Sequence, residues 1–146
     1  KYSDLFLTAK FARTASTRRT LNTIYMAVST FYAQILCFRR LLRPSQPPAT
    51  VDRHALTNIL EITHKQYASD PQLLRRLHWP LVMGVVETED PVQREWLRQR
   101  LLELRDYHTE YRWANDIAEE VLDKQDTSQG RYVNLAELLR NSRPSK

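Results

Sequence analysis

LHWPLVMGVVETEDPVQREWLRQRLLEL, residues 77 to 104, places an apolar segment, an acidic break and an amphipathic segment in direct succession. Leu77, Trp79, Leu81, Val82, Val85 and Val86 leave the first segment apolar on nearly every side, the composition of a helix without a solvent face. Pro80 falls inside it. A proline in a helix interior removes a backbone donor and bends the axis, so a kink and a hinge are expected there. Asp90 then takes an N-cap position, Pro91 the first helical position and Gln93 the third. The carboxylate can accept from first-turn amides, and proline has no N–H to lose at that point. Beyond this start Val92, Trp96, Leu97, Leu101 and Leu104 are expected to be buried, with Arg94, Arg98, Gln99 and Glu103 exposed, in a helix from Pro91 to about Asp106.

The same grammar extends in both directions. Ser3 is expected to cap a short helix through Phe11, and the polar basic stretch Ala12 to Thr20 is either a loop or the exposed start of the next helix. From about Leu21 to Leu42, residues Leu21, Ile24, Ala27, Val28, Phe31, Ile35, Phe38 and Leu42 form one broad apolar face, widened by Tyr25, Tyr32 and Leu36. This helix is expected to be central in a bundle. Residues 44 to 50, PSQPPAT, hold three prolines and must be a loop. Asp52 is expected to cap the following helix, with Leu56, Ile59, Leu60, Thr63 and Tyr67 along its stripe, and Asp70-Pro71 to open another. Tyr111, Ala114, Ile117, Ala118, Val121 and Leu122 line a further helix. Residues 124 to 130 read as a loop, and Asn134 with Glu137 as a capping box for a short last helix. No period-two alternation occurs, so the fold class is all-α: an irregular bundle of about six to seven helices in one domain, 1–146.

The chain resembles, in this central stretch, the C-terminal part of the regulatory domain of fungal zinc-cluster transcription factors. The residues that carry the resemblance are Trp79, Pro80, Leu81, Gly84, Glu87, the Glu89-Asp90-Pro91 step, Arg94, Trp96 and the spaced leucines Leu97, Leu101 and Leu104. The similarity is strongest from about Leu73 to Leu122 and looser from Leu21 to Tyr67. It implies nuclear control of RNA polymerase II transcription, with a switch driven by a small ligand or a protein partner. In that family DNA is bound by a separate N-terminal cluster of six cysteines holding zinc. No such cluster is present in this sequence, so no cofactor is expected here and DNA contact is expected only through that missing module.

Composition narrows the remaining function classes. The chain has 146 residues, 42% of them hydrophobic, enough for one ordinary core. Its two glycines, Gly84 and Gly130, exclude phosphate-cradling loops and dinucleotide fingerprints, which need several. Cys37, the one cysteine, sits among Ile35, Leu36 and Phe38, the setting of a buried apolar residue. A single cysteine allows no internal disulfide, as in reducing compartments. Glu61 and His64 have the Glu-x-x-His spacing of di-iron bundles, but no second copy exists. His54, His64, His78 and His108 lack zinc spacing, and the carboxylates Asp116, Glu119, Glu120 and Asp123 suit a charged helix face. No constellation of nucleophile, acid and base can be assembled, and no enzyme is expected.

Charge is uneven, +8 over residues 1–80 and −3 over 81–146. The arginine pairs Arg18-Arg19, Arg39-Arg40 and Arg75-Arg76 are expected at solvated helix ends, where the dipole favours cations. A second reading is therefore a basic helical scaffold that binds nucleic acid or an acidic protein partner. The apolar run Ile24 to Phe38 is shorter than a membrane span needs, and no membrane helix is expected. A start at Lys1 without methionine suggests part of a longer protein, whose severed apolar face would drive self-association or recruit a partner chain. For a possible apolar ligand, Phe31, Cys37, Trp79 and Trp113 are the candidate pocket residues.

Overall fold

A computed structural model describes residues 15–43, 46–127 and 135–141. Among them the chain forms α1 (Ala15–Leu42), α2 (Thr50–Ser69), a 3₁₀ helix (Pro71–Leu77), α3 (His78–Glu87), α4 (Pro91–Leu104), α5 (Thr109–Thr127) and α6 (Leu135–Asn141), with no strand. The all-α class is as expected from the sequence. The helix expected over Ser3 to Phe11 and the cap expected at Asn134 lie outside the described residues.

The helix at the centre is α3, not α1. Pro80 to Glu87 is buried without a break, and α3 packs on α1, α2, α4 and α5. Its apolar surface on all sides leaves no face to give to water. At Gly84 α4 packs close: a Cβ built there would stand 3.1 Å from Leu97 Cδ1 and 3.7 Å from Ile59 Cγ2. Pro80 does not fall in the interior of this helix. It is the third residue of α3, in the first turn, where its missing N–H would have had no intrahelical partner. The backbone leaves helical geometry one turn earlier, at Leu77 (φ −111°, ψ 19°), where the 3₁₀ helix ends. Within that helix three residues per turn put Leu74 and Leu77 on one inward edge.

Helix α1 is an outer helix, and its inward side is rotated from the expected one. Leu21, Tyr25, Ser29, Ala33, Leu36, Cys37 and Arg40 are buried, whereas Phe31 and Phe38 are 60% and 57% exposed and Leu42 77%. The basic stretch before Thr20 joins this helix from Ala15 onward. By length and composition alone α1 would reach across a membrane, but its inward side packs on α2, α3, the 3₁₀ helix and α6.

Two helix ends differ in detail from the sequence reading, and a third agrees with it. Asp52 is not the cap of α2 but its third residue, and its carboxylate accepts from the Ala49 amide at 2.7 Å. Asp90 caps α4 as expected, accepting from the Val92 and Gln93 amides at 2.8 and 3.3 Å. Val92 itself is 76% exposed, because the first turn of α4 overhangs the core. Helix α5 runs through Lys124 to Thr127, so residues 124–127 are not a loop; Lys124 pairs with Glu120 one turn back at 3.1 Å.

Candidate functional site: a buried arginine–glutamate cluster

Glu87 is the last residue of α3, at the end of a helix with no other acid, and it is buried. An ionised carboxylate out of water needs opposite charge and hydrogen bonds. Both come from the end of α1, where Arg39 and Arg40 are adjacent and turned inward. Arg39 Nη2 donates to Glu87 Oε2 and Arg40 Nε to Glu87 Oε1. Arg40 Nη2 also donates to the Val86 carbonyl at 3.1 Å, and Arg39 Nη1 to that of Gln46 at 3.4 Å. Arg39 Nε lies 3.5 Å from Asp52 Oδ2. The Gln125 carboxamide, oriented with its oxygen toward the guanidinium, accepts from Arg40 Nη2 at 2.9 Å. Among the described residues, two arginines and two carboxylates thus form a cluster that ties together the end of α1, the linker, the start of α2, the end of α3 and the end of α5.

This corrects the reading of Arg39-Arg40 as solvated helix-end charge: Arg40 is only 2% exposed. The sequence carries a signal for this burial. A lone glutamate ending a segment that is apolar all round must be buried, and the one arginine pair ending another highly apolar helix is its natural partner. Arg18, Arg19 and Arg76 are exposed, and Arg75 lies 3.9 Å over the Tyr107 ring.

Beside the cluster a cleft of about 190 Å³ is lined by Leu36, Pro48, Asp52, Arg53, Leu56, Glu87 and Glu89. Both carboxylates of the cluster contribute to its wall, so a small molecule entering it meets the charges that hold the helix ends. The volume suits a short aliphatic group more than a drug-sized ligand.

The expected pocket residues are spread out. Cys37 lies beside the cluster and burial raises its thiol pKa, with Arg40 opposing and Glu87 reinforcing the shift. Phe31 sits on the outer side of α1, and Trp79 and Trp113 are half-buried against the core.

The residues behind the family resemblance fall in structural roles. Leu81 and Leu104 are core, Glu87 is the hub of the cluster, and Arg94 Nη2 donates to the Thr88 carbonyl, fixing the turn between α3 and α4. Trp96 packs against His64 at 4.1 Å and Tyr67 at 5.5 Å between ring centroids, with Arg100 over it at 5.3 Å. His64 is thereby engaged in stacking and in a 3.0 Å contact with Gln93 Oε1, while Glu61 is exposed. A shallow groove of about 420 Å³ runs along α4 past Pro91, Val92, Trp96 and Arg100. The acidic face of α5 is partly paired: Arg98 donates to both oxygens of Glu119, at 2.8 and 2.6 Å, and this hydrogen bonding raises the Arg98 pKa further. Among the described residues no group of three His, Cys, Asp or Glu side chains is placed to hold a metal ion.

Residues 7–140 match the family model of the fungal specific transcription factor domain. The chain belongs to that family. Its role lies in transcriptional regulation. No curated protein and no solved structure matches the chain significantly.

Proposed function

We propose that this domain senses a small ligand or a protein partner and transmits the event as a change in helix packing, acting in the nucleus as the regulatory, non-catalytic part of a zinc-cluster transcription factor. DNA binding belongs to a separate zinc module. The observation that carries this reading is the buried Arg39–Arg40–Glu87 cluster with a cleft at its side. A network that joins the ends of four helices through charges has two well-separated states, closed or broken, because a partly satisfied buried ion cluster is costly. A ligand that prefers one state shifts the population in proportion to its differential affinity.

The second reading, a basic scaffold for nucleic acid or acidic proteins, is weakened by the same geometry, since two of its arginines are spent inside the fold. It retains the exposed Arg18, Arg19, Arg43, Arg53 and Arg76.

The test is a thermal-shift screen with short alkylamines and short alkyl carboxylates, which probe the cleft for either charge preference. A compound at a hundred times its Kd stabilises by about 2.7 kcal/mol, a shift of several degrees. The shift should vanish in Glu87→Gln. If neither series moves the melting temperature and generic DNA binds with steep salt dependence, the scaffold reading takes its place.

A further inference from the structure

We propose that Ser16 is a phosphorylation site for an arginine-directed serine kinase, and that the phosphate it receives neutralises and firms the basic start of α1. Ser16 does not line the cleft, and the proposal does not depend on the sensing role assigned there.

Arginines flank Ser16 on both sides in the sequence: Arg13 stands three residues before it, Arg18 and Arg19 two and three residues after. Of the serines and threonines in the chain, Ser16 alone has an arginine three residues before it. From Leu5 to Val51 the sequence holds no aspartate or glutamate, so no acid near in sequence offsets this charge. A peptide groove lined with carboxylates selects such a stretch through charge-assisted hydrogen bonds to the guanidinium groups, and rejects stretches that carry acids of their own.

The structure leaves the target hydroxyl within reach. Ser16 is the second residue of α1 and is exposed, as are Arg18, Arg19 and Thr20, and among the described side chains the first to be buried along the helix is Leu21. The start of α1 can therefore unwind into a kinase groove without uncovering the core. Competing hydroxyls are less available. Thr17 is half-buried, and Thr20 and Thr23 donate one turn back to the Ser16 and Arg19 carbonyls, at 3.1 and 3.0 Å. In the transfer Ser16 Oγ attacks the γ-phosphorus of ATP, the bond from that phosphorus to the bridging oxygen breaks, ADP leaves, and the hydroxyl proton passes to the base of the kinase. The product brings about two negative charges at neutral pH, set against Arg18 and Arg19. The first turn of α1 holds no acid, and its amides lack intrahelical acceptors, so a phosphate there is favoured by the helix dipole. Arg19 stands three residues on, the i, i+3 spacing at which side chains on a helix pair. The start of α1 thus changes from basic to neutral and holds its first turn more firmly.

Incubation of the full 146-residue chain with ATP and the catalytic fragment of protein kinase C, a kinase that selects arginine on both sides of its target, tests this, with the site read by fragment mass spectrometry. The phosphate should appear on Ser16, and Ser16→Ala should take none. Arg18→Ala and Arg19→Ala together should lower kcat/KM for phosphorylation by roughly 10-fold. Both arginines are exposed, so circular dichroism melts of that variant should match wild type. Phosphorylation should slow amide hydrogen exchange from Arg18 to Leu21 by about 2- to 5-fold, a difference that fades in about 1 M salt. No incorporation into the folded chain, phosphate on another residue, a rate indifferent to both arginines, or exchange unchanged by the phosphate would each overturn the proposal.

Discussion

Replacing Glu87 with alanine should be among the most damaging single changes in this chain. The substitution removes the carboxylate that both Arg39 and Arg40 contact, and leaves Asp52 paired with Arg39. Arg40 keeps the Val86 carbonyl and the Gln125 carboxamide, both neutral acceptors. Breaking a buried pair from one side costs about 3–5 kcal/mol, much of it the penalty of the stranded charge. For a chain of this size 1 kcal/mol moves the melting temperature by about 2–4 °C, so Glu87→Ala should melt roughly 6–20 °C lower. The comparison is Glu119→Ala, which also breaks a bidentate arginine pair, but one more than a third exposed. That pair should be worth less than about 1 kcal/mol. Replacing the whole cluster with Arg39→Met, Arg40→Met and Glu87→Leu together should recover most of the loss, because no charge is left stranded. Chemical denaturation with constant m-value is the assay. Equal effects of Glu87→Ala and Glu119→Ala would refute the claim that burial, and not mere pairing, sets the magnitude.

Four further outcomes follow from single sites. Gly84→Val should lower stability by about 1–3 kcal/mol, read by urea denaturation, since Leu97 Cδ1 already stands 3.1 Å from where a Cβ would sit. Asp90→Ala should cost about 0.5–2 kcal/mol through the loss of two first-turn hydrogen bonds at α4, visible as a lower thermal midpoint. His78 has its pKa lowered by burial, with Glu110 and the Arg75 backbone opposing. The unfolded chain therefore binds its proton more readily, and the His78 contribution to stability, complete above the unfolded value near 6.5, should be lost as pH falls through the lower folded value; His78→Gln should flatten that slope. Cys37, buried and with its thiol pKa raised, should react with a thiol reagent only as fast as the fold opens.

Helix positions and the Asp90-Pro91 cap were legible because they depend on short-range periodicity and capping chemistry. The fully apolar α3 was likewise readable from residues 79 to 86 alone. What a local pattern cannot give is which side of a broad apolar helix meets the rest of the fold. In α1 every position between Leu21 and Phe38 is uncharged, so the periodicity admits several inward faces, and packing chose the one containing Ser29, Ala33 and Cys37. The small side chains Ser29 and Ala33 let neighbouring helices approach closely, while Phe31 and Phe38 stayed outside. The cluster was hidden for a related reason. Arg39 and Arg40 satisfy the helix-dipole rule as well as they satisfy Glu87, and the nearer explanation competed with a partner 47 residues away. The place of Pro80 in its helix was not legible because the seven-residue 3₁₀ helix before His78 leaves no strong mark in sequence.

The most direct test of the sensing role is a reporter measurement with the chain fused to an unrelated DNA-binding module, comparing wild type with Glu87→Gln at matched protein levels. Loosening the cluster should change reporter output severalfold and abolish its response to any cleft-binding compound. Identical output from both fusions, with or without such a compound, would contradict a regulatory switch built on the Arg39–Arg40–Glu87 contact.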